Sequence, residues 1–122
     1  MLWTGRILTA LGALFMVMDA VTHILKPAPV VEAFAHLGYP LATAIPLGVT
    51  VLICVAIYLI PQTAFLGALL LTAYLGGAVA SHVRVSDPVF DTCFPAIVAV
   101  FLWGGLFARD ARIRTIMVRI DT

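Results

Sequence analysis

Asp19 and His23 stand four residues apart inside an otherwise apolar stretch that runs from about Leu2 to Leu25. In a helix that spacing puts both side chains on one face. At about 1.5 Å of rise per residue, Asp19 lies roughly 9 Å from the end of the stretch. A carboxylate at that depth is costly unless it is paired or faces a wet cavity. Two readings stay open for the pair. One is a ligand site or proton relay, work for which histidine is suited. The other is a structural polar pair that locks one helix against its neighbours.

Other ionisable residues fall near the same end of the molecule. His82 and Arg84 close a later apolar stretch, Asp87 and Asp91 follow it, and Glu32 and His36 lie between the first two stretches. The alternation of crossings brings all of them to one membrane face, and that convergence says more than any single member. The planar fork of Arg84 suits a carboxylate or phosphate; its other reading is snorkelling with local pairing to Asp87 or Asp91. Tyr74, with Gly76 and Gly77, is expected in the apolar wall of such a pocket. The ligand-binding candidates are therefore Asp19, His23, Tyr74, His82 and Arg84. Asp19, His23, His82 and Asp91 have metal-ligand chemistry, but no dense spacing such as His-Glu-x-x-His supports a metal, and none is expected. Cys54 and Cys93 sit at depths too different for a disulfide and are read as small buried packing residues.

These side chains need elements to hold them. Of 122 residues, 63% are hydrophobic and 11% charged, against about 25% charged in ordinary soluble domains. Lipid must solvate such a surface. Four apolar stretches, at about 2–25, 41–60, 63–80 and 89–108, each approach the roughly 20 residues that cross about 30 Å of hydrocarbon. Helix is the conformation that satisfies their backbones there. The prediction is an all-α, integral membrane four-helix bundle, one domain over residues 1–122. Lys26-Pro27-Ala28-Pro29 ends the first helix, and Gly38-Tyr39-Pro40 turns into the second. Pro61-Gln62 joins the second and third as an antiparallel hairpin. Pro46 and Pro95 fall inside helices and are expected to kink them.

Arg6, Arg109, Arg112, Arg114 and Arg119 flank one side, while Lys26 and Arg84 flank the other. Five against two predicts that both termini are cytoplasmic, with Trp3 and Trp103 near that interface. A cleaved signal peptide is disfavoured, because Asp19 and His23 occupy the place where its small-residue cleavage site would stand. After Ala108, Ile113, Ile116, Met117 and Ile120 space out as one apolar face of a short amphipathic tail helix. Ala64, Ala68, Thr72, Gly76 and Ala80 form a small-residue stripe, suited to packing within the bundle or to a homo-oligomer contact. The net charge of +1 excludes a nucleic-acid footprint.

Several phrases occur together: Leu37-Gly38-Tyr39-Pro40, Tyr58-Leu59-Ile60-Pro61, the run from Leu71 to Arg84 (LTAYLGGAVASHVR), Trp103-Gly104-Gly105-Leu106 and Arg109-Asp110-Ala111-Arg112-Ile113-Arg114. In that order they resemble the DoxX-like family of small bacterial four-helix membrane proteins, over nearly the whole chain. The resemblance implies a multi-pass protein of the bacterial inner membrane. It implies an accessory or binding role linked to quinone-dependent oxidoreductases, with no shared catalytic motif to carry over. Where relatives are expected to carry a basic residue after the first-helix aspartate, this chain has His23.

Three functions follow as expectations. The first is an accessory subunit or binding module for a lipophilic ligand such as a quinone, which would be the cofactor. The second is a scaffold or assembly protein that meets a membrane or cytoplasmic protein partner. The third is a small intramembrane enzyme using Asp and His for acid–base catalysis on a lipophilic substrate. Membrane lipid is a partner under all three.

Overall fold

A chain in lipid has no water for its amides, so each apolar stretch must close its hydrogen bonds along itself. The computed structural model describes residues 2–117, which are helical almost throughout, with no strand among them. Its helices are α1 (Leu2–Leu25), α2 (Ala28–Leu37), α3 (Ala44–Leu59, entered through a 3-10 turn at Leu41–Thr43), α4 (Ala64–Arg84), α5 (Val89–Arg109) and α6 (Ala111–Met117). α1, α3 with its entering turn, α4 and α5 are long and apolar enough to cross a membrane. Leu14, Met18, Ile53 and Val100 are each more than half exposed on the outside, a surface only lipid solvates well. The chain is a multi-pass membrane protein.

The four long helices close into a ring. α1 packs on α3 and α5, and α4 packs on the same two, so α1 and α4 face each other across one diagonal and α3 and α5 across the other. Four crossings bring the start of α1 and the end of α5 to one face, the end face. α2 and the α4–α5 connection share the opposite, loop face. Two tyrosines span the diagonals. Fully buried Tyr58 on α3 donates its hydroxyl proton to the Leu102 carbonyl of α5 at 2.5 Å. Tyr74 on α4 donates to the Asp19 carboxylate of α1 at 3.1 Å. Met16, Leu71, Leu102 and Leu106 fill the space between the helices, all fully buried.

The α3–α4 hairpin has the expected tight turn, in which the Thr63 amide donates to the Ile60 carbonyl at 3.0 Å and its hydroxyl to Ile57 at 2.8 Å. Gly67 then lies directly against the backbone of Tyr58, where a Cβ would overlap main-chain atoms. Trp103 on α5 crosses to α4, donating its indole proton to Thr72 at 2.6 Å and meeting Phe65 edge-on.

Several expectations are corrected. Ala28–Leu37, read as loop, is a helix: Pro27 is its N-cap and Pro29 stands in its first turn, where the missing amide proton costs nothing. α4 continues past Ala80 to Arg84. Pro46 is the third residue of α3, again in a first turn that needs no donor, so the cause of a kink is absent there. Pro95 does lie inside α5, and its missing amide leaves the Asp91 carbonyl without a helical donor. The small-residue stripe divides: Ala64 and Ala68 are buried within the bundle, whereas Gly76 and Ala80 face outward, with nothing near Gly76. Cys54 is buried, but Cys93 is exposed.

In the tail, Asp110 leaves the helical region and accepts the Arg112 amide at 2.9 Å, opening α6. Ile113 is buried under the bundle while Ile116 is 60% exposed. Ile120 and Arg119 lie outside the described residues. Arg114 turns back to donate to the Phe107 and Ala108 carbonyls at 2.8 and 3.0 Å, a cation at the negative end of α5.

Candidate functional site

Toward the loop face the ring opens, and a cavity of about 390 Å³ lies between α1, α4 and α5. Asp19 and His23 line it from α1, Tyr74 and His82 from α4, and Asp91 from α5. The helical repeat that aligns Asp19 with His23 also places Phe15 on that face, one turn earlier. Phe90 and Phe94 repeat the spacing on α5. Phe94 meets Phe15 edge-on at 5.0 Å and lies 5.8 Å from Phe90. The cavity thus has a polar end and an aromatic wall, with Ala33 and Leu37 of α2 at its edge. That composition is common in small-molecule sites.

Hydrogen bonds fix the orientation of the polar groups. His23 Nδ1 lies 2.6 Å from the main-chain carbonyl of Asp19 and 3.6 Å from its carboxylate. A carbonyl only accepts, so Nδ1 carries a proton. Phe34 of α2 is buried and stands edge-on to the His23 ring at 5.3 Å.

Beside this cavity, two matched helix ends hold α2 down. Gly38 follows α2 with φ 82°; its amide donates to Ala35 and that of Tyr39 to Phe34. This is a Schellman ending, and the Tyr39 and Phe34 rings supply its usual apolar contact at 6.2 Å. α4 ends the same way: Ser86 takes φ 57°, its amide donates to Val83, and that of Asp87 to His82. The geometry folds Asp87 back over His82. Here the contact is a pair of hydrogen bonds: Asp87 accepts from His82 Nδ1 at 2.5 Å and, on its other oxygen, from His36 Nε2 of α2 at 2.6 Å. Arg84 donates to the Leu37 carbonyl at the end of α2, and Tyr39 and Ser81 share a hydroxyl hydrogen bond.

The imidazoles of His36 and His82 hold the Asp87 carboxyl below its ordinary range. A depressed carboxylate contributes stability above its unfolded value, about 3.9, and loses it as pH falls through the lower folded value. Amide protection along α2 is therefore expected to drop below pH about 4. In Asp87→Asn it is expected to be lower at neutral pH and to lack that acid step. Hydrogen exchange in detergent, expressed as protection factors, checks both.

Four of the five ligand-binding candidates, Asp19, His23, Tyr74 and His82, line one cavity. Arg84 does not: it donates to the Leu37 carbonyl at the end of α2, and Asp87, its expected partner, is taken by two histidines. Gly76 and Gly77 do not line it either; Gly77 lines a smaller neighbouring cavity of about 260 Å³ behind Tyr74. The wall is aromatic, and Phe15, Phe90 and Phe94 were legible as residues four apart from each other or from Asp19. Among the described residues, no three His, Cys, Asp or Glu side chains gather as metal ligands.

Comparison with known proteins adds one decisive observation. The model of the DoxX-like family matches residues 7–105. The chain belongs to the DoxX-like family. Every residue lining the cavity of this DoxX-like protein falls inside that match, and α6 lies beyond it. No curated protein and no solved structure matches the chain.

Proposed function

We propose that this DoxX-like protein is an intramembrane binding module for a lipophilic small molecule, working as an accessory subunit rather than as a self-contained enzyme. One observation carries the reading: side chains from three membrane-crossing helices converge on a single cavity with a polar end and an aromatic wall. Scaffolding needs no such cavity. The quinone class implied by the family resemblance matches the apolar character of the cavity wall, and a redox-linked partner would then exchange ligand through the membrane. The excess of arginine on the end face supports a cytoplasmic placement of both termini, in a bacterial inner membrane.

The test is extraction of protein purified in mild detergent, followed by mass spectrometry of its lipophilic content. Wild type is expected to carry one species near equal stoichiometry. The Asp19→Ala, His82→Ala double variant loses two polar contacts, each worth about 1 kcal/mol or more, and is expected to lose at least about tenfold of that content. Equal content in the two proteins rejects the reading.

A further inference from the structure

The polar end of the cavity is made of acceptors. His23 Nδ1 gives its proton to the Asp19 carbonyl, so in the neutral ring Nε2 is a bare lone pair. His82 Nδ1 gives its proton to Asp87, with the same consequence. The Tyr74 hydroxyl, which could have served a ligand, is directed at Asp19 Oδ2. Asp19 Oδ1 has no hydrogen-bond partner among the described residues, and the Asp91 carboxylate stands on the cavity's edge. No lysine or arginine lines the space; Arg84 is turned away to Leu37. Lone pairs and carboxylates therefore meet the ligand with no free donor to balance them.

The wall adds to the bias. Phe94 meets both Phe15 and the exposed Phe90 at the same cavity, and an aromatic face attracts cations. A buried ammonium group needs both charge and hydrogen-bond partners, and this site offers them. A carboxylate or phosphate head would meet like charge. A ketone oxygen would find only other acceptors.

Resting on the binding-module reading above, we propose that the cavity selects lipophilic molecules whose polar end donates hydrogen bonds, with protonated amines bound best. Molecules whose polar end only accepts, or is anionic, are rejected. Within the quinone class the same chemistry favours the reduced quinol, with its two hydroxyl donors, over the quinone.

Four probes of one apolar cage test this: 1-adamantylamine, 1-adamantanol, 2-adamantanone and 1-adamantanecarboxylate. Each is titrated calorimetrically into the detergent-solubilised protein at pH 8. The amine is expected to bind at least about tenfold more tightly than the ketone, as one hydrogen bond to a charged group implies. The alcohol should fall between them, and the carboxylate should not bind. Asp19→Asn keeps the shape of the side chain, should weaken the amine about tenfold, and, by adding an amide donor, should leave the ketone bound at least as well as in wild type. Asp91→Asn provides a second variant should the first fail to fold by circular dichroism. Filling the cavity with Ala78→Trp should abolish amine binding. Ketone or carboxylate binding as tight as the amine's, and lost in Ala78→Trp, overturns the donor rule while leaving the cavity reading intact. Amine binding that survives Ala78→Trp overturns the assignment of this site. If none of the four binds, the cavity reading falls as well.

Discussion

Ala78→Trp is expected to empty the protein of its lipophile without unfolding it. Ala78 is half-buried on α4 and lines both the main cavity and the smaller one behind Tyr74. An indole there occupies the space that a ligand would fill, beside Asp19 and the phenylalanine wall. Residue 78 is away from the close seams of the ring, so the unfolding midpoint should shift by no more than about 0.5 kcal/mol in equivalent stability. Ligand content, read by mass spectrometry of the extract, should fall at least about tenfold, the effect of losing more than about 1.4 kcal/mol of binding. Ala80→Trp is the matched control, since Ala80 is exposed on the outside of the same helix and should change nothing. Equal losses in both variants would indicate a general effect of a bulky residue on α4 and would remove the support for the cavity.

The second large effect concerns stability. Gly67→Ala is expected to destabilise the bundle by about 3 kcal/mol, the upper end of the usual cost of overpacking. The added methyl meets the amide nitrogen and Cα of Tyr58, and backbone cannot swing aside as a side-chain tip can. Relief requires α3 and α4 to part, which also strains the Tyr58 hydrogen bond to Leu102. Gly76→Ala lies on the same helix with open space around it. It should be neutral or stabilising by up to about 1 kcal/mol, from helix propensity alone. Denaturant unfolding in detergent, followed by circular dichroism, should therefore show a large loss of stability for Gly67→Ala and none for the identical substitution nine residues on. Matching shifts would contradict the packing described for the α3–α4 hairpin.

Hydrophobicity and length were enough to place the four crossings, because in lipid a helix is the sole way for such a stretch to satisfy its backbone. The Asp19–His23 face was legible for a similar reason: spacing of four is geometry, whatever the neighbours. The α2 helix was hidden because proline in a first turn looks the same in sequence as proline that stops a helix. Arg84 was misplaced because its destination, the Leu37 carbonyl, is the end of that unread helix. The aromatic wall was missed because phenylalanine in a membrane span is usually a lipid-facing or packing residue. Spacing puts Phe15 on the Asp19 face, but only the packing of α5 against α1 brings Phe94 to the same wall. The division of the small-residue stripe was legible but unread: a spacing of four turns about 40° further round the helix at each step, so Ala80 stands nearly opposite buried Ala64.

The most direct test is an experimental structure of the wild-type protein grown from lipid with a bromine-bearing adamantyl amine, reading the anomalous signal of the bromine. A peak between Phe15, Phe94 and Tyr74, with the amine nitrogen within hydrogen-bond distance of Asp19, is the expected result. A cavity closed by the phenylalanine rings, with bromine only on the lipid-facing surface, would contradict a binding role for this site.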